Sequence, residues 1–241
     1  TTASFSADFY LGGVDGGTTA TNDPYMATYG FQIDLNTSFT GEDSLDISLD
    51  AGNTATATTG VTEFDGNATA DSLDVDGVSY TFPLGGATAI VGDNTDGSAL
   101  FTTACAYGGP SNTLDDCGNV HAGITNGGAM AGFSYDFGSG FTAAAGYAGP
   151  ESGIMTQESL DAWGLNGAYT ADNYGISLTY GVVETGLDTT SNPQEDTFTA
   201  INGYYTPDAY GFPSISVGYE VGEDGSVASA DDGLSSFFVG L

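Results

Sequence analysis

Between Gly30 and Asn53 the chain reads GFQIDLNTSFTGEDSLDISLDAGN, two alternating runs on either side of Thr40-Gly41-Glu42-Asp43. In the first run Phe31, Ile33, Leu35 and Phe39 are separated by Gln32, Asp34, Asn36 and Ser38; in the second, Leu45, Ile47, Leu49 and Ala51 alternate with Ser44, Asp46, Ser48 and Asp50. A period of two puts one side chain set on each face of a strand, and a short glycine-containing turn between two such runs predicts an antiparallel hairpin. Its polar face carries full charges, Asp34, Asp46 and Asp50, deep inside strands of about ten residues, so that face needs water. A strand of this length with one apolar and one wetted face is the unit of a membrane-spanning barrel.

The same grammar runs through the chain. Residues 3 to 13 alternate Phe5, Ala7, Phe9 and Leu11 with Ser4, Ser6, Asp8 and Tyr10. Beyond the opening hairpin, Leu73 to Phe82 reads as a strand with a phase slip at Gly77, the mark of a β-bulge. Further runs follow at Ala87 to Gly92, Ala129 to Phe137, Phe141 to Tyr147, Trp163 to Tyr169, Tyr174 to Val182, Thr197 to Tyr205, Ser214 to Val221 and Leu234 to Leu241. About twelve strands result, with short turns after the even ones and long polar loops after the odd ones. That asymmetry predicts an all-β, antiparallel up-and-down transmembrane β-barrel over residues 1–241, with short periplasmic turns and long extracellular loops. Phe39, Phe82, Phe137, Phe141, Tyr169 and Tyr174 flank the short turns, and Tyr29, Tyr147, Tyr180 and Tyr219 are expected at the opposite ends, as two interfacial girdles. The competing architecture is a secreted acidic β-sandwich that adheres or binds, with the same rings in its core.

Charge narrows the partners. The 241 residues include 32 acidic side chains and no lysine or arginine. Nucleic acid is excluded as a partner, because phosphate binding depends on basic side chains. Deletion of basic residues would have broken the two-residue period, which stays in phase through most strands; the sequence offers no physical reason for their absence. Thr1 opens without a basic, apolar leader, so a targeting peptide is expected to have been removed. Cys105 and Cys117 lie in the longest loop, about Asp93 to Asn126, and in an exported protein read as a disulfide that ties it down.

Several of these segments carry a family likeness. LNTSFTGEDSLDISLDAGN, VDGVSYTFPLGG, DGSALFTTACAYGGPSNTLDDCGN, SYDFGSGFTAAAGYAG and AYTADNYGISLTYG together resemble the cyanobacterial outer-membrane porins of the carbohydrate-porin-like type. The resemblance runs from about Ala27 to Leu241, and the cysteine-containing block is its most specific part. It implies a homotrimeric diffusion barrel in outer-membrane lipid, with an S-layer-homology domain and a coiled coil upstream of the barrel in the family. Family barrels are longer and end in an aromatic residue, whereas this sequence ends Phe238-Val239-Gly240-Leu241, which reads as a partial or shortened barrel. Where the family's hairpin often has Lys or Arg, this chain has Glu42, Asp46 and their neighbours.

No catalytic constellation is present. The single histidine, His121, has no Gly-x-Ser-x-Gly elbow and no metal-spaced His/Cys cluster beside it, and carboxylate pairs such as Asp115-Asp116 are unremarkable among so many acids. Gly92-Asp93-Asn94-Thr95-Asp96-Gly97 and Glu223-Asp224-Gly225 offer oxygen ligands of the kind Ca²⁺ takes, though neither is a full calcium loop. The expected function is a passive, water-filled, cation-preferring outer-membrane channel for small hydrophilic solutes. Its expected pore-lining residues are Asp8, Gln32, Asp34, Asn36, Asp46, Asp50, Asp136 and Glu220, with no counter-charge from the chain.

Overall fold

A computed structural model describes residues 1–13, 25–53, 67, 69–107, 117–119, 124, 128–156, 160–187, 193–208, 211–223, 225 and 233–241. Twelve strands occur among them: β1 Thr2–Gly13, β2 Tyr25–Thr37, β3 Ser44–Gly52, β4 Asp74–Leu84, β5 Ala87–Asp93, β6 Ala129–Gly138, β7 Phe141–Gly149, β8 Ala162–Thr170, β9 Tyr174–Leu187, β10 Pro193–Tyr205, β11 Ile215–Glu223 and β12 Gly233–Gly240. They form one sheet in sequence order, β1 to β12, each paired antiparallel with its neighbour where the register is defined. Two compact units divide the chain, one of residues 1–79 with 109–115, the other of residues 80–108 with 116–241.

In the first unit the opening hairpin has the register that its alternation predicts. Asp34 lies opposite Ser48 and Asn36 opposite Asp46, while Ile33 faces Leu49 and Leu35 faces Ile47, so polar pairs with polar and apolar with apolar. Asp43 organises the turn between them. Its carboxylate accepts the N–H of Phe39 at 3.1 Å and of Thr40 at 2.7 Å, together with the hydroxyls of Ser38 and Thr40. Gly41 supplies the positive φ of 91° that closes the turn. At the other end Asn53 accepts the Tyr29 N–H at 3.0 Å, and Asn67 donates to the Phe31 carbonyl at 2.9 Å.

The second unit shows which face of the sheet is which. On β8 to β12 the exposed side chains include Leu165, Ile176, Leu178, Ile201, Val217, Tyr219, Phe237 and Val239; the buried ones include the polar Asn166, Ser177, Thr179, Asn202, Ser216 and Glu220 beside Ala168, Ala200, Phe198 and Phe238. A water-soluble sheet does the reverse. A sandwich would press the apolar face against a second sheet, whereas here it is the outer surface, and the polar face is covered from within. Phe141 and Tyr169 approach to 4.6 Å between ring centroids and Tyr169 and Tyr174 to 5.8 Å, an aromatic band that joins three strands at their short-turn ends.

Three expectations need correction. The connection after β9 was expected to be long and that after β10 short, yet β9 runs on to Leu187 and β10 starts at Pro193, whereas β10 and β11 are separated by residues 206–214. Strand pairing continues there through a bulge between Gln194 and Glu195, so polar residues that read as loop are an extension of the hairpin. Tyr219 sits at the middle of β11 rather than at a strand end. Tyr180, also expected at a strand end, is the seventh of the fourteen residues of β9; β2 begins at Tyr25, where Tyr25 to Tyr29 pair with Phe9 to Gly13 of β1.

Candidate functional site: a loop laid on the inner face

The connection that leaves β5 does not stay at the rim. Residues 97–107, 117–119 and 124 lie across the polar face of the second unit, held by one side chain after another from successive strands. Asn166 of β8 takes the Thr102 N–H on Oδ1 at 2.9 Å and returns its Nδ2–H to the Thr102 carbonyl at 3.1 Å, so one amide closes a two-bond clamp on the loop backbone. Its second Nδ2 proton goes to Thr179 Oγ1 at 2.8 Å. Ser177 of β9 accepts from Ala104 N at 2.9 Å, and Ser216 of β11 accepts from Ala106 N at 2.8 Å and Tyr107 N at 3.1 Å. On the return limb, Asn202 of β10 donates to the Cys117 carbonyl at 2.7 Å and Ser236 of β12 to the Gly118 carbonyl at 3.1 Å. Buried backbone polar groups must find partners, and a strand wall has spent its own amides on the ladder. Single polar side chains on five strands supply the missing bonds.

Close approach needs glycine. A Cβ on Gly146 would overlap the carbonyl oxygen of Gly97, and one on Gly218 would overlap that of Cys117. Beside these contacts lies the apolar seat of the loop, Ile124, Ile90, Met130, Ala148 and Ala162, with Leu100 and Phe101 packed against it. At the far end Tyr107 meets Phe238 edge to face at 5.3 Å. A disulfide between Cys105 and Cys117 joins the outgoing and returning limbs. Gly146→Ala is therefore expected to push the loop off the wall, with a loss of about 1–3 kcal/mol typical of overpacking. Chemical unfolding in detergent reads it, and a variant as stable as the parent would mean that the loop is not seated there.

The residues expected to line a pore fall into two sets. Asp8, Gln32, Asp34, Asn36, Asp46 and Asp50 share one face of β1 to β3 in the first unit. There Asp34 accepts from Ser48 at 2.6 Å and Gln32 at 2.7 Å, and Asp46 accepts from Asn36 at 2.6 Å and Ser44 at 2.7 Å. Asp136 and Glu220 belong to the second unit. Asp136 stands at the short-turn end of β6, where its Oδ1 accepts the Gly138 N–H at 2.7 Å, so it caps a turn. Glu220 is only 2% exposed, on the inner face of β11 beside Gly218.

The five side chains that clamp the loop, Asn166, Ser177, Asn202, Ser216 and Ser236, were not singled out in the sequence. Their signal is faint: each is a small polar residue on an inner face that holds glycine, alanine and threonine but also Phe198, Glu220 and Phe238. His121, Asp115, Asp116 and Asp224 lie outside the described residues. Among the described residues no group of three or more His, Cys, Asp or Glu side chains converges as a metal site requires.

No family model matches the chain, and no curated protein matches it. Among solved structures it is similar to a triple mutant of the Rh. blastica porin, at 14% identity and a TM-score of 0.50, over 98% of this chain and 78% of that one. The fold is that of a transmembrane β-barrel. Also similar are OprB from Pseudomonas putida at high pH (12% identity, TM-score 0.49, 90% of this chain and 74% of that one) and OmpF from Salmonella typhi in complex with daunomycin (9%, 0.45, 96% and 81%).

Proposed function

We propose that this barrel is a passive outer-membrane channel, water-filled and cation-preferring, for ions and small hydrophilic solutes. One observation carries the reading: the sheet turns its apolar side chains outward and lays a disulfide-tied loop over its polar inner face. An apolar outer wall is what lipid requires, and a loop inside a barrel narrows whatever passage the wall encloses. The resemblance to carbohydrate-porin-like proteins of cyanobacteria supports a homotrimer and the same membrane. We read the barrel as a conduit rather than an enzyme.

Selectivity follows from charge. With 32 acidic residues and no lysine or arginine, every fixed side-chain charge near the path is negative. Low-dielectric walls focus that field, so potassium should pass in preference to chloride. The preference should shrink as salt rises from about 0.01 M, where the screening length is roughly 30 Å, to 1 M, where it is about 3 Å. A planar-bilayer reversal potential under a KCl gradient measures it. A zero or chloride-side potential at low salt would show that these acids do not act on the conducting path.

A further inference from the structure

On the outer face of the second unit, at the loop-side ends of β7, β8 and β9, lies a cavity of about 490 Å³ lined by Tyr147, Met155, Thr156, Asp161, Trp163 and Glu184. The registers bring its walls together, since Tyr147 pairs with Trp163 and Trp163 with Val182, two residues before Glu184 on the same face of β9. Asp161 is 5% exposed; its Oδ1 accepts the Tyr147 hydroxyl proton at 2.8 Å, and its carbonyl accepts the Glu184 N–H at 2.7 Å. The same Tyr147 oxygen accepts the Met155 N–H at 3.1 Å, which fixes the β7–β8 connection over the cavity.

The charges in this cavity do not balance. Among the described residues Glu184 Oε2 is buried without a hydrogen-bond partner, and Glu184 stands directly across the ladder from Glu195, where like charges repel. A buried carboxylate oxygen with no donor is costly, and the chain has no lysine or arginine to supply one. Such a carboxylate is relieved by a proton or by a cation from outside the protein. A bare metal ion fits poorly, because no three-ligand group converges here among the described residues and the space is much larger than an ion. The indole of Trp163, the phenol ring of Tyr147 and the thioether of Met155 instead offer a carbon body a soft wall, and aromatic faces attract ammonium groups. We propose that the cavity binds an organic ammonium ion, its charge on the Asp161 and Glu184 carboxylates and its alkyl part against Trp163 and Tyr147.

The chain's single tryptophan makes the site self-reporting. Full-length protein in detergent micelles is titrated with n-butylammonium chloride, and with NaCl and CaCl2 at matched ionic strength, while Trp163 emission is followed. A saturable shift with butylammonium alone is expected, and Glu184→Gln should raise its Kd about tenfold or more, as loss of one charge-assisted contact does. Heat-modifiable migration on gels shows that the variant barrel is folded, and Asp161→Asn, read the same way, decides the matter should Glu184→Gln fail to fold. Absence of saturation, an equal response to calcium, or an unchanged Kd in the folded variant overturns the assignment. The outcome is independent of whether the barrel conducts.

Discussion

Leu178→Arg should cost the folded barrel about 2–4 kcal/mol, the penalty for a guanidinium at mid-bilayer on the lipid face. Leu178 lies midway between Tyr174, where β9 begins, and Val182, and is 54% exposed on the outer surface, between Ile176 and Tyr180 along its own strand and opposite Ile201 of β10. Nothing nearby can neutralise an arginine there, because the inward neighbours Ser177 and Thr179 point the other way. Ile215→Arg, at the very start of β11 and also on the outer face, should cost only about 0–1 kcal/mol, since the penalty fades towards the interface. Unfolding of protein reconstituted in lipid vesicles measures both. Equal costs at the two sites would mean that this face does not meet the hydrocarbon core.

Replacing Cys105 and Cys117 together by serine should remove roughly 3 kcal/mol in the chain-entropy account of a cross-link of this size. The two cysteines are 12 apart in sequence and join the limbs that Asn166, Ser177, Ser216 and Asn202 clamp. The loss should therefore appear as looser docking of the loop, with a noisier single-channel current, while the outer face and its lipid contacts stay as they are. Thiol titration of the parent protein purified without reductant should find no free sulfhydryl. Two reactive thiols, or a variant of unchanged stability, would remove the disulfide from the account.

The strands were legible because a barrel wall repeats one rule at every step. Phe31, Ile33 and Leu35 against Gln32, Asp34 and Asn36 state it in six residues, and the register then follows from matching faces. The rule fails where strands outrun the membrane. Beyond Val183 the apolar alternation stops, so Glu184, Thr185 and Glu195 look like loop although they extend a ladder. The site was nearly invisible for a related reason. Asn166 and Ser177 are distinguished only by what they bond, the backbone of Thr102 and Ala104, and no period in the sequence links a wall residue to a loop residue. Only the cysteines and the length of the connection hinted that the segment after β5 was special. Asp136 shows the limit of parity alone: it has the right face, but the turn at Gly138 takes its carboxylate.

The loop's clamps also impose an order of events. Neighbouring strands pair over short stretches of chain, but Thr102 meets Asn166 across 64 positions, Ala106 meets Ser216 across 110, and Gly118 meets Ser236 across 118. The segment is made early, between β5 and β6, and the wall it rests on is made last. Contacts this distant in sequence carry the largest closure entropy and form late. The last clamp, Ser236 on Gly118, therefore cannot close until β12 is in place, and a chain that stops short of its final strand would leave the loop without the end of its berth.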